Sequence, residues 1–119
     1  MRKWSILVVV LSVLFIAAYH PRANQRPVIV SKPPLEFTPG VNYIYAPQAR
    51  EPDGDPIYWR LERGPSGSFV IIDFVHNYRP ILVWDTRHAK RRRWHYFRLV
   101  ADDGKWGQTR QWWIVKPKQ

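Results

Sequence analysis

The chain has 119 residues, no cysteine, and 19 Lys and Arg against 9 Asp and Glu, for a net charge of +10. That length allows one domain, and the missing cysteine excludes disulfides, thiolate metal sites and a lipid-bearing cysteine anchor. Eleven prolines and six glycines disfavour long helices, while 7 Trp, 6 Tyr and 5 Phe promise an aromatic core.

Met1-Arg2-Lys3 opens the chain with positive charge, and Ile6 to Ala18 is apolar apart from Ser12. This is the plan of a secretory signal, with Ala18 just before the cut and a bulky Ile16 two positions earlier. Trp4 to Tyr19 also approaches a spanning helix, which needs about 20 apolar residues. Residues 1–19 therefore read either as a cleaved signal peptide or as an anchor helix in the inner membrane. Arg2 and Lys3 favour a cytoplasmic N-terminus. Both readings export the remainder to the periplasm or beyond, with residues 20–26 as a linker.

From residue 27 the pattern changes to short alternating segments between turn signals, without a helical period. Residues 27–32 read as a first strand, and Pro33-Pro34 and Pro39-Gly40 interrupt the chain after it. Residues 42–49 alternate with Tyr43, Tyr45, Pro47 and Ala49 on one face, the proline marking an edge or a bulge. The acidic turn Glu51-Pro52-Asp53-Gly54-Asp55 follows. Residues 57–62 direct Ile57, Trp59 and Leu61 inward. Gly64-Pro65-Ser66-Gly67 turns the chain into 69–74, an apolar run that alternates poorly, and then into 81–84. Residues 94–101 direct Phe97, Leu99 and Ala101 inward. Asp103-Gly104 makes a hairpin turn, and 109–115 direct Trp113 and Val115 inward. Trp59, Trp84 and Trp113 are thus expected in the core. The count predicts an all-β, seven-stranded, immunoglobulin-like sandwich over residues 27–117.

The ordered set Pro27-Val28-Ile29, Pro39-Gly40, Tyr43-x-Tyr45-x-Pro47-x-Ala49, Pro52-Asp53-Gly54-Asp55-Pro56, Gly64-Pro65, Leu82-x-Trp84 and Asp103-Gly104 resembles the bacterial immunoglobulin-like, cadherin-like modules of the dystroglycan type. The resemblance spans residues 27–116. It implies a seven-stranded cadherin-like sandwich used for adhesion or as a spacer, sometimes with calcium. This chain departs from such modules in being basic and in carrying one copy rather than a tandem array.

Three constellations stand out. In such a sandwich the two acidic turns lie at one end, so Glu51, Asp53, Asp55, Asp102 and Asp103 converge there. They read as plain turn chemistry or as oxygen ligands for Ca2+. The run Arg87, Lys90, Arg91, Arg92 and Arg93 is either a solvated loop or a site for phosphates, sulfates or acidic surfaces. The outer sheet face gathers Tyr58, Arg60, Tyr96, Arg98, Arg110, Trp112 and Ile114. It is either a stabilising cross-strand ladder or an interface and a platform for flat ligands.

His20, His76, His88 and His95 lack metal-ligand spacing, and no nucleophile elbow is present. The expectation is a non-catalytic binding module of the bacterial cell envelope, docking onto a larger envelope or membrane protein. The alternative is a binder of polyanions or glycans; nucleic acid is not an expected partner.

Overall fold

The computed structural model describes residues 23–90 and 93–119. The expected export segment, residues 1–19, lies outside the described residues, as do the first three linker positions and Arg91 and Arg92. The described chain is all-β, without a helix. Its strands are β1 Val28–Ile29, β2 Glu36–Phe37, β3 Tyr43–Tyr45, β4 Ala49–Arg50, β5 Tyr58–Arg63, β6 Ser68–Asp73, β7 Arg79–Trp84, β8 His95–Asp102 and β9 Gln108–Pro117.

One sheet has the order β2-β9-β8-β5 and the other β3-β7-β6, with β1 and β4 paired as a separate ribbon. Neighbouring strands are antiparallel except β2, which runs parallel to β9 with Glu36 opposite Lys116. Alternation explains which residues meet between the sheets. Tyr43 and Tyr45 of β3 are buried while Ile44 is exposed; Trp113 and Val115 of β9 are buried while Trp112 and Ile114 are exposed. Phe37, Leu82, Trp84, Phe97 and Leu99 complete the core.

The core is an aromatic stack. Phe97 lies parallel to Trp113 at 5.2 Å between ring centroids, Tyr43 stacks on Phe97 at 5.5 Å, and Trp84 meets Phe97 edge-on at 5.7 Å. Such pairs contribute about 0.5–1.5 kcal/mol each beyond area burial. Their polar atoms are satisfied inside the protein. Trp113 Nε1 donates to Tyr43 Oη at 3.1 Å, and Tyr43 Oη donates to the Pro34 carbonyl at 2.6 Å. Burial pushes the Tyr43 phenol well above its ordinary range, so it stays a donor at every physiological pH.

Nine strands replace the seven expected, for local reasons. The expected strand 42–49 breaks after Tyr45, and Pro47 lies in the break. Proline supplies no N–H to a ladder, so β3 pairs with β7 while β4 pairs with β1. The strand expected over 27–32 shrinks to β1. The unexpected β2 lies between Pro34 and Pro39, and two residues are too few to show alternation. Trp59 is half-buried against the core rather than inside it, unlike Trp84 and Trp113, because β5 is the edge strand of its sheet.

This grading is measurable. Trp113→Ala is expected to cost about 3–5 kcal/mol in urea unfolding, since it opens a cavity in the stack. Trp59→Ala should cost clearly less. Equal losses would place Trp59 in the core after all.

Candidate functional site

The two acidic turns do meet at one end. Lys105 Nζ donates to Asp55 Oδ1 at 2.7 Å. The entering chain joins both turns: Asn24 Nδ2 donates to Asp103 Oδ2 at 2.7 Å, and the Gln25 N–H donates to Asp53 Oδ2 at 2.7 Å. Yet the five carboxylates divide into two roles. Asp103, only 2% exposed, accepts from the N–H groups of Lys105 and Gly107 at 2.7 and 2.9 Å and builds the β8–β9 turn. A Cβ at position 107 would run into that carboxylate, which is why glycine stands there. Asp102 accepts from the Gly104 N–H at 2.8 Å, from Arg60 at 3.1 Å and from Gln108 at 2.9 Å. These two residues do not join the candidate cation cluster, which consists of Glu51, Asp53 and Asp55 with ligand atoms within 4.8 Å of one another.

That trio is a group that could hold a metal ion. Glu51 Oε2 accepts the N–H groups of Asp53 and Asp55, at 2.8 and 2.9 Å, which shapes the turn. Glu51 Oε1 and Asp55 Oδ2 are buried without a hydrogen-bond partner among the described residues. Orphaned carboxylate oxygens are costly unless a cation meets them. The residues present therefore fit Ca2+, although Lys105 occupies the other oxygen of Asp55.

The outer face of β5, β8 and β9 carries the expected aromatic residues and arginines, and its arginines are paired. A bulge between Leu61 and Arg63 leaves Glu62 unpaired in the ladder. Its carboxylate takes Arg98 at 2.9 Å and Arg110 at 3.1 Å, while Arg60 pairs with Asp102 at 3.1 Å. All three arginines expected to serve a ligand are engaged within the face. Val100 is fully buried although it lies on the outward phase of β8, with Arg60 and Arg110 as its register neighbours. The aromatic groups stay available: Trp112 is 66% exposed, Tyr96 and Ile114 are exposed beside it, and Tyr58 is exposed separately, at the Asp102 end of the face.

Two features escaped the sequence reading. The opposite outer face, on β3, β7 and β6, exposes Ile44, Phe69 and Ile71 around half-buried Val83 and Ile81. The poor alternation of residues 69–74 was its signal, because both phases are apolar. The second feature is a cavity of about 440 Å³ beside the basic loop, lined by Lys90, Arg93, Trp94, His95 and the Pro65–Gly67 turn among others. The loop is anchored by buried Thr86, whose Oγ1 donates to the Val41 carbonyl at 2.7 Å and accepts the Gly40 N–H at 2.9 Å. Arg87 is not a free cation. It chelates Asp85, with Nη2 to Oδ2 at 2.6 Å, and holds that carboxyl down to about 2. Arg91 and Arg92 lie outside the described residues.

No family profile and no curated protein matches this chain. Among solved structures it is similar to an endo-fucoidan hydrolase of glycoside hydrolase family 107, with a TM-score of 0.58 and 12% identity over 86% of this chain. A variant of the same enzyme matches with a TM-score of 0.55 and 18% identity over 86% of this chain. This chain covers 15% of each of those chains, and the likeness is one of fold.

The acidic end gives the domain a pH dependence. Asn24 foremost, with the Lys105 and Gly107 N–H groups, holds Asp103 below the usual carboxylate range; the Gly104 N–H foremost does so for Asp102. A carboxyl lowered on folding adds stability that is complete above its unfolded value, near about 4, and is lost as pH falls through the folded value. The melting temperature should therefore drop on acidification below that range. Asp103→Asn should melt lower at neutral pH and lose less on acidification, measured by calorimetry. An unchanged acid slope would assign the effect to other carboxyls.

Proposed function

We propose that this chain is a non-catalytic, immunoglobulin-like binding module of the bacterial cell envelope that docks onto a larger envelope or membrane protein. One observation carries the reading. The β5-β8-β9 face presents a patch of Trp112, Tyr96 and Ile114 to solvent while each of its three arginines is paired with one of two carboxylates, Glu62 or Asp102. An apolar, aromatic face with its charges paired internally suits a protein surface better than a polyanion, which needs unpaired cations. Contiguous exposed apolar patches of this kind mark interaction sites. The strand order β2-β9-β8-β5 over β3-β7-β6 is consistent with the immunoglobulin-like reading. The basic, apolar start of the chain supports export, with the domain held at the membrane or released into the periplasm.

Catalysis finds little support in the site. The exposed His76–Asp73 pair, at 2.7 Å, shapes the β6–β7 turn, where Asp73 also accepts the Val75 and His76 N–H groups. Calcium, where present, is held by Glu51, Asp53 and Asp55 and acts as a structural clamp on the acidic turn. Millimolar CaCl2 should then raise the melting temperature of the wild type and not of Glu51→Gln. A flat response in the wild type leaves the turn without a metal.

Docking is tested with a photo-crosslinking residue at position 112 or 44 in cells. The expected result is one discrete membrane-protein adduct from position 112 that Ile114→Ser abolishes, since a central anchor commonly dominates an interface. An adduct from position 44 alone would move the interface to the β3-β7-β6 face. No adduct from either position would reduce the domain to a spacer.

A further inference from the structure

The basic end carries a cavity that Trp112 and Ile114 of the docking face do not line. We propose that the cavity lined by Lys90, Arg93, Trp94, His95 and the Pro65–Gly67 turn binds a saccharide unit bearing a sulfate or carboxylate. This rests on the basic end taking an anionic partner, and not on the docking reading.

The cavity holds about 440 Å³, inside the roughly 300–1,000 Å³ range of ligand clefts. Its chemistry is mixed in a particular way. Lys90 and Arg93 line it, and neither has a carboxylate partner among the described residues. Asp85, the acidic residue of the lining, is already taken by Arg87. An incoming anion therefore meets two cations that no carboxylate among the described residues has paired.

Trp94 supplies the flat wall. Its side chain is 62% exposed, and Lys116, which does not line the cavity, sits 4.4 Å from the ring centroid. The indole is thus exposed, with one face taken by Lys116. His95 lines the same space, with its ring packed 4.6 Å from Trp84 and 5.4 Å from Phe37. Its Nε2 is buried without a hydrogen-bond partner among the described residues. Ser66 adds a hydroxyl. An indole suits the C–H face of a pyranose, the hydroxyl and imidazole suit ring hydroxyls, and the free cations suit an acidic substituent. A bare inorganic anion would leave the indole unused, and a neutral sugar would leave the cations unused.

The test is calorimetric titration of the full chain in detergent with five probes. They are a heparin-derived tetrasaccharide, tetragalacturonate, neutral maltotetraose, sodium sulfate and oligothymidylate. Either charged saccharide should bind, and the stronger of the two identifies sulfate or carboxylate as the favoured group. Maltotetraose and sulfate should bind about tenfold more weakly or not at all, since each engages half of the site. Trp94→Ala, and separately Lys90→Ser with Arg93→Ser, should each weaken binding about tenfold or more, the scale of one stacking contact. Wild-type melting temperatures would show that these variants fold. Trp112→Ser should leave saccharide binding unchanged, which separates this site from the docking face. The proposal is overturned by silence from both charged saccharides or by an undiminished Trp94→Ala. Sulfate binding as tightly as a saccharide, or oligothymidylate binding more tightly than either, also overturns it.

Discussion

The two sheets are held together by one stack of rings, and the remainder of the structure depends on it. Phe97 lies between Tyr43 and Trp113, and Trp84 closes the stack edge-on. Those four residues come from β3, β7, β8 and β9, so the stack joins the two sheets. A chain without cysteine has no covalent tie to do this. The hydrogen bond from Trp113 to Tyr43, continued to Pro34, adds direction to what is otherwise a non-directional apolar contact.

Clamping the sheets this way leaves long strands to carry charge apart. β8 runs from His95 at the basic end to Asp102 at the acidic end, eight residues, or about 26 Å at the usual rise. Screening at physiological salt acts over about 8 Å. The acidic and basic ends therefore act as separate electrostatic environments, although the net charge is +10. Each end is built by a different device. At the acidic end, Asp103 and Glu51 collect backbone N–H groups and fix two turns against the entering chain. At the basic end, one buried hydroxyl, Thr86, pins the start of the loop to the Val41 carbonyl and the Gly40 N–H.

Between the ends, charge on the outer face of β5-β8-β9 is settled within the face. At the bulge, the Glu62 carboxylate serves both Arg98 and Arg110. Exposed ion pairs contribute little stability singly, about 0–1 kcal/mol, but they decide which groups remain for a partner. Here they leave the aromatic residues.

What the sequence alone determined was phase. The inward positions of β3, β8 and β9, the core places of Trp84 and Trp113, and the polarity of the two ends follow from alternation and turn residues, which are local properties. The same locality explains the misplacements. Whether Pro47 ends a strand or bends it depends on whether a neighbouring strand calls for an N–H at that position, which proline lacks, and Trp59 is half-buried because β5 is the edge of its sheet among the described residues. Only the tertiary structure decided who stands opposite whom. It spent Arg60, Arg98 and Arg110 on Glu62 and Asp102, took Arg87 for Asp85, and reserved Asp102 and Asp103 for turns. It also brought Trp94 and His95 beside Lys90, Arg93 and the distant Pro65–Gly67 turn. Pairing across strands and packing between loops join residues far apart in the chain, and no local pattern encodes them.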